Sequence, residues 1–158
     1  MQLSYSYEVE RGYHGQKAEN YPNDIDTAIT AGAYPVGVVV VTDRTANVPA
    51  NQVKLPAAAG DLAAGLTVGV LLRVEMAEPG NIPAGAVWPV LRKGRVWLNV
   101  EGAVTKYASA FVRHTASGAL TPGSLRADAN TDQAVQVAGI RFLETRTTAG
   151  LCLVEVHL

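Results

Sequence analysis

From Pro35 to the C-terminus the chain never holds one hydrophobic period for long. Short apolar runs rich in β-branched residues are cut again and again by Gly, Pro, Asn and Asp. Side chains branched at Cβ suit a pleated, half-buried surface, so this punctuation predicts many short strands. Residues 36–42 (VGVVVVT) read as a buried strand and 52–55 as a short one stopped by Pro56. Residues 66–74 (LTVGVLLRV) read as a third, with Gly69 as a bulge position. Residues 87–91 follow the loop EPGNIPAG, and in 95–101 Val96, Leu98 and Val100 share one face while Arg95, Trp97, Asn99 and Glu101 share the other. Arg92-Lys93-Gly94 reads as a hairpin turn joining those two runs. Residues 110–114, 134–137 and 141–144 are further short strands. In 151–158 (LCLVEVHL) Cys152, Val154, Val156 and Leu158 fall on one face and Leu153, Glu155 and His157 on the other, which pins the C-terminus into a sheet.

No window carries the 3.6-residue period of an ordinary amphipathic helix. Residues 61–66 and 25–32 are each long enough for a helical turn or two. The fold class is therefore all-β, a small β-barrel or β-sandwich with an extended N-terminal arm and under about a fifth of its residues helical. The arm is residues 1–30, which hold Tyr5, Tyr7, Tyr13 and Tyr21, four of the six tyrosines; the β-domain is residues 31–158. An ordinary edge strand plus loop is the other reading of the arm. The expected core includes Val38, Val40, Leu71, Val96, Leu98, Val100, Cys152, Val154 and Val156.

Composition narrows the function classes. A chain of 158 residues buries about 70% of its unfolded surface, enough to fold without disulfide or metal. Thirteen basic against 14 acidic residues leave a net charge of −1, with no surplus to neutralise nucleic-acid phosphates, although Arg92, Lys93 and Arg95 form a local basic patch. With Cys152 alone, no intrachain disulfide forms. The N-terminus has no basic segment followed by an apolar one, so no signal peptide is expected, and the most apolar stretch, residues 35–41, is too short to span a bilayer.

A search for chemistry finds parts but no constellation. Cys152 sits on the apolar face of a terminal strand, where a thiol packs as a small hydrophobe. No nucleophile elbow occurs, and Ser117-Gly118 lies in a turn-like segment. His14, His114 and His157 have no zinc-clamping spacing. Asp128-Ala129-Asn130-Thr131-Asp132 opens like a calcium loop, but Gln133 stands where that loop needs Gly and Gly139 where it needs Glu; Asx residues bonding their own backbone give the preferred reading, a turn. Asp24 and Asp26 near a chain bend lack a third ligand. No phosphate-binding glycine loop is present. Trp97 and Tyr107 are aromatics able to form a stacking platform for a sugar or a base. No catalytic, cofactor-binding or metal-binding residues are assigned.

The order of these segments resembles the structural cement (decoration) proteins of tailed bacteriophages. The words that carry the resemblance are Asp24-Ile25-Asp26-Thr27, Ala33-Tyr34-Pro35-Val36-Gly37, Gln52-Val53-Lys54-Leu55-Pro56 and Gly65-Leu66-Thr67-Val68-Gly69-Val70. Leu91-Arg92-Lys93-Gly94-Arg95-Val96-Trp97, Phe111-Val112-Arg113-His114, Gly139-Ile140-Arg141-Phe142-Leu143-Glu144 and the closing Val-Glu-Val strand follow. The resemblance spans about residues 24–158. It implies a non-enzymatic virion protein on the outer surface of the head, assembled in the host cytoplasm, that stabilises the shell by bridging subunits of the major capsid protein. No cofactor, nucleic acid or membrane is implied. A homo-oligomer is expected, a trimer before a dimer. A carbohydrate- or surface-binding β module using Trp97 and Tyr107 is the alternative, and a small hydrolase assembled from distant loops ranks last.

Overall fold

A computed structural model describes residues 12–18, 22–74 and 80–158. Its nine strands are β1 (Asp24–Thr30), β2 (Val39–Thr42), β3 (Gln52–Lys54), β4 (Thr67–Leu71), β5 (Val87–Val100), β6 (Ser109–Arg113), β7 (Leu125–Arg126), β8 (Ala134–Phe142) and β9 (Gly150–His157). The one helical element among the described residues is a 3-10 turn, Ala59–Leu62. The all-β expectation holds.

Strand pairing closes two five-membered rings that share β5. The first runs β1–β3–β2–β4–β5 and returns to β1; the second runs β5–β7–β6–β8–β9 and returns to β5. Closure removes the open edges that would otherwise invite pairing with other chains. The first half of β5 pairs with β1 from Val87↔Ile29 to Lys93↔Asp24, and the second half pairs with β9 from Lys93↔His157 to Val100↔Gly150. This overturns the hairpin expected at Arg92-Lys93-Gly94: residues 87–100 form one continuous strand. A tight two-residue turn favours Asn-Gly or Asp-Gly, and here each flanking run finds its partner elsewhere in the chain. Gly94, at φ +143°, instead lets β5 bend from one ring to the other, where a Cβ would sit 3.0 Å from Cβ of Asn23.

Other boundaries shift in the same way. Residues 134–137 and 141–144, read as separate strands, merge into β8 through Gly139 (φ +94°). The strand read over residues 66–74 is β4, which ends at Leu71, and its register shift beside Gly69 is the expected bulge. Most of residues 25–32, allowed a helical turn above, is extended: Asp24–Thr30 pair with both β5 and β3, so this stretch of the expected arm is woven into the first ring. Gly12–Ala18 lie along the outside of β5, with Gly15 N–H donating to Trp97 O (2.7 Å) and Trp97 N–H to Gln16 O (2.9 Å). Tyr5, Tyr7 and Tyr21 lie outside the described residues.

All nine expected core residues are buried, but they serve two cores. Val38, Val40, Leu71, Val53 and Val90 fill the first ring. Val96, Leu98, Val100, Cys152, Val154 and Val156 join Ala110, Val112, Ile140 and Phe142 in the second. Val39, Val41, Val70 and Leu91 point out of the first ring into this larger core, which is why the Val38–Val41 run is apolar without alternation.

Candidate functional site

The residues singled out for chemistry are held apart. Cys152 faces the second core with no exposed surface, and burial pushes its thiol pKa up, away from the reactive thiolate. His114 is buried beside Thr115 and His157 is exposed at the end of β9. His14 acts as a structural clasp. Its Nδ1 accepts a hydrogen bond from Asn99 N–H (3.0 Å), its ring lies against Gly37, and burial holds its pKa below the ordinary imidazole value. Asp24 and Asp26 stand exposed on β1, with Asp26 4.0 Å from Arg92. Ser117 forms a tight turn with Leu120.

The calcium-like string is a turn, as preferred from the sequence. Asp128 Oδ1 accepts from Asn130 N–H (3.0 Å) and from Arg126 Nη2 (2.6 Å), so its charge is taken up within the protein. Asn130, Thr131 and Asp132 all have positive φ (45°, 54° and 61°), an uncommon run for non-glycine residues. What holds it is a polar network that sequence reasoning did not assemble. Arg113, with no exposed surface, donates Nε to Glu101 Oε1 (2.6 Å) and Nη2 to Glu101 Oε2 (2.7 Å), and Nη1 reaches Gln133 Oε1 (2.8 Å). Arg126 Nη1 shares Glu101 Oε2 at 3.0 Å. Two cations around one buried carboxylate, with further bonds to loop oxygens, satisfy charges that would be costly alone. The network ties the end of β5 to β6, β7 and the 128–133 loop, and it is structural.

The aromatic pair does not converge. Trp97 is half-buried beneath Gly12, where a Cβ would fall 2.4 Å from its Cδ1. Tyr107 stands exposed on a turn beside a cleft of about 370 Å³ lined by Ser109, Arg141, Glu155 and His157, with no second aromatic. No sugar platform is built from the two. Among the described residues, no three His, Cys, Asp or Glu side chains cluster as a metal site.

What remains is surface, and here the comparisons decide. Residues 1–157 match the family described as "Structural cement protein (E217 gp24/Pam3 gp6)". The chain belongs to the phage structural cement protein family. A chain from the solved capsid of Myoviridae phage XM1 shares its fold, with a TM-score of 0.70 at 19% identity and 98% of each chain covered. The N base of head fiber gp8.5 of bacteriophage phi29 aligns with a TM-score of 0.43 at 6% identity, over 85% of this chain and 94% of that one. A search of curated proteins gave no match. The role is thus that of a capsid cement protein, a structural component of the phage particle. A cement protein works by contact, so its functional residues are those it leaves outside. The large apolar side chains most exposed here are Val87, Tyr107, Tyr13, Ile25 and Val74. Val87 sits opposite Ile29 on the β1–β5 pair of the first ring, and Tyr107 marks the second.

Proposed function

We propose that this cement protein sits on the outer surface of the head, after the shell has assembled in the host cytoplasm, and bridges neighbouring coat subunits without performing chemistry. The observation that carries this reading is the family match along residues 1–157. The architecture supports it. Two closed barrels on a common strand make a stiff body, and a stiff body across a seam resists separation of the subunits beneath it. An interface of about 1,600 Å² is a standard size for stable contact, and many symmetric copies act together on one shell.

A trimer fits a threefold shell position and a dimer is the second choice. The reach to a neighbouring subunit falls to the N-terminal segment. Within that arm, residues 1–30, Gly12–Ala18 are fastened to β5 and Asp24–Thr30 belong to the first ring. Heads lacking the protein should release DNA at a lower temperature than decorated heads, and adding the purified protein back should restore them. Equal release temperatures for bare and decorated heads would sink the proposal. Protein lacking residues 1–11 should fold and bind heads more weakly.

A further inference from the structure

We propose that Tyr107 is an anchor of the shell contact: a preorganised, exposed tyrosine flanked by Lys106 and Arg141 that takes an acidic loop of the coat protein. The inference rests on the capsid-binding reading above and adds the residue, the partner chemistry and a sign.

The argument starts from the backbone. Thr105 to Ala108 form a turn closed by Ala108 N–H donating to Thr105 O (3.1 Å), and Tyr107, its third residue, has φ +66°. That position favours glycine, and a bulky aromatic there is an outlier. Tyr107 is 63% exposed, so the monomer recovers little burial in exchange. Strain of this kind persists where the surroundings enforce it and points to a role outside the fold. The surroundings do enforce it. Tyr107 N–H donates to Phe142 O (2.7 Å), Phe142 N–H to Ala108 O (3.1 Å), and Lys106 N–H to Thr145 Oγ1 (3.1 Å), with Phe142 itself fully buried. The tyrosine thus stands on a pedestal rooted in the second core, which lowers the ordering cost of binding.

Charge sets the partner. Lys106 Nζ lies 4.9 Å and Arg141 Cζ 5.9 Å from the ring centroid. Arg141 Nε is held by Glu155 Oε2 (2.5 Å), and Arg95 lies 3.7 Å from Oε1 of the same carboxylate. Glu155 thus meets Arg141 and Arg95, while Lys106, beside the Tyr107 ring, has no carboxylate partner among the described residues. Tyrosine and arginine are the residue types that most often dominate interfaces, and a cationic rim selects carboxylates.

The test titrates undecorated phage heads with the full-length wild type, Tyr107→Gly and Lys106→Glu, and records melting of each free protein. Tyr107→Gly should melt at the same or a higher temperature, because glycine relieves the positive φ, yet bind heads at least about tenfold more weakly. Lys106→Glu should also bind more weakly with its melting unchanged, and added salt should weaken the wild type. Wild-type binding retained by both variants would overturn the anchor while leaving the cement role standing. Loss with Tyr107→Gly but not with Lys106→Glu would overturn the acidic partner. A Tyr107→Gly protein melting well below the wild type would make the ring structural and overturn the premise. Wild type that fails to decorate heads would instead overturn the capsid-binding reading itself.

Discussion

At the scale of single residues, the Glu101–Arg113 pair and His14 are two polar points that hold distant parts of the chain together. Arg113 is buried with a bidentate carboxylate partner, so Arg113→Met strands Glu101 with Arg126 alone and should cost about 3–5 kcal/mol in urea unfolding. In a Glu101→Gln background the same substitution should cost clearly less, because a neutral amide needs no cation; additive losses in the double-mutant cycle would argue against coupling. His14 makes stability depend on pH in a definite direction. Its folded pKa lies below that of the unfolded chain, so the neutral ring's contribution is fully present above about pH 6.5 and is lost as pH falls through the folded value. Protonation also removes the lone pair that accepts from Asn99 N–H. The melting temperature should therefore fall between about pH 7 and 5 more steeply for the wild type than for His14→Asn. Parallel curves would show that the clasp does not titrate with folding.

At the scale of elements, β5 explains most of the architecture. It is 14 residues long, and few strands in globular proteins are. Its length lets one strand serve two rings, and Gly94 is where it changes allegiance. Gly94→Ala places a methyl against Asn23 and Leu91 (3.0 and 3.1 Å) at φ +143°, a conformation that L residues rarely adopt. A loss of about 1–3 kcal/mol is expected, read from the denaturation midpoint at unchanged slope. A neutral outcome would mean that the two rings do not depend on that bend.

At the scale of the whole molecule, two cores joined by one strand and by the outward face of β2 and β4 should melt as one unit. Val39, Val41, Val70 and Leu91 leave the first ring to fill the second core, so neither core stays intact when the other opens. Calorimetry should show one transition with equal calorimetric and van't Hoff enthalpies. Val40→Ala in the first core and Val154→Ala in the second should lower that same transition. Two separable transitions would show that the rings are independent domains. A body that opens as one unit suits the proposed role of carrying load between capsid subunits.

The sequence by itself determined the class of fold and much of the core. Alternation in Arg95–Glu101 and in β9 places Val96, Leu98, Val100, Cys152, Val154 and Val156 inside, because a period of two allows a buried face only one set of side chains. It also showed that Asp128–Asp132 reads better as a turn than as a metal loop, since the spacing lacked the glycine and the glutamate. The order of its strand words was enough to suggest the cement family. Tertiary structure decided the rest. Whether Arg92-Lys93-Gly94 turns or runs straight depends on which strands lie beside it, and those partners come from residues 24–29 and 150–157. The Glu101–Arg113–Arg126 network joins β6, β7 and the residue that follows β5, and local pattern carries no signal for such a meeting. The positive φ of Tyr107 was equally hidden, because a tyrosine at a glycine position is legible only once the turn around it has formed.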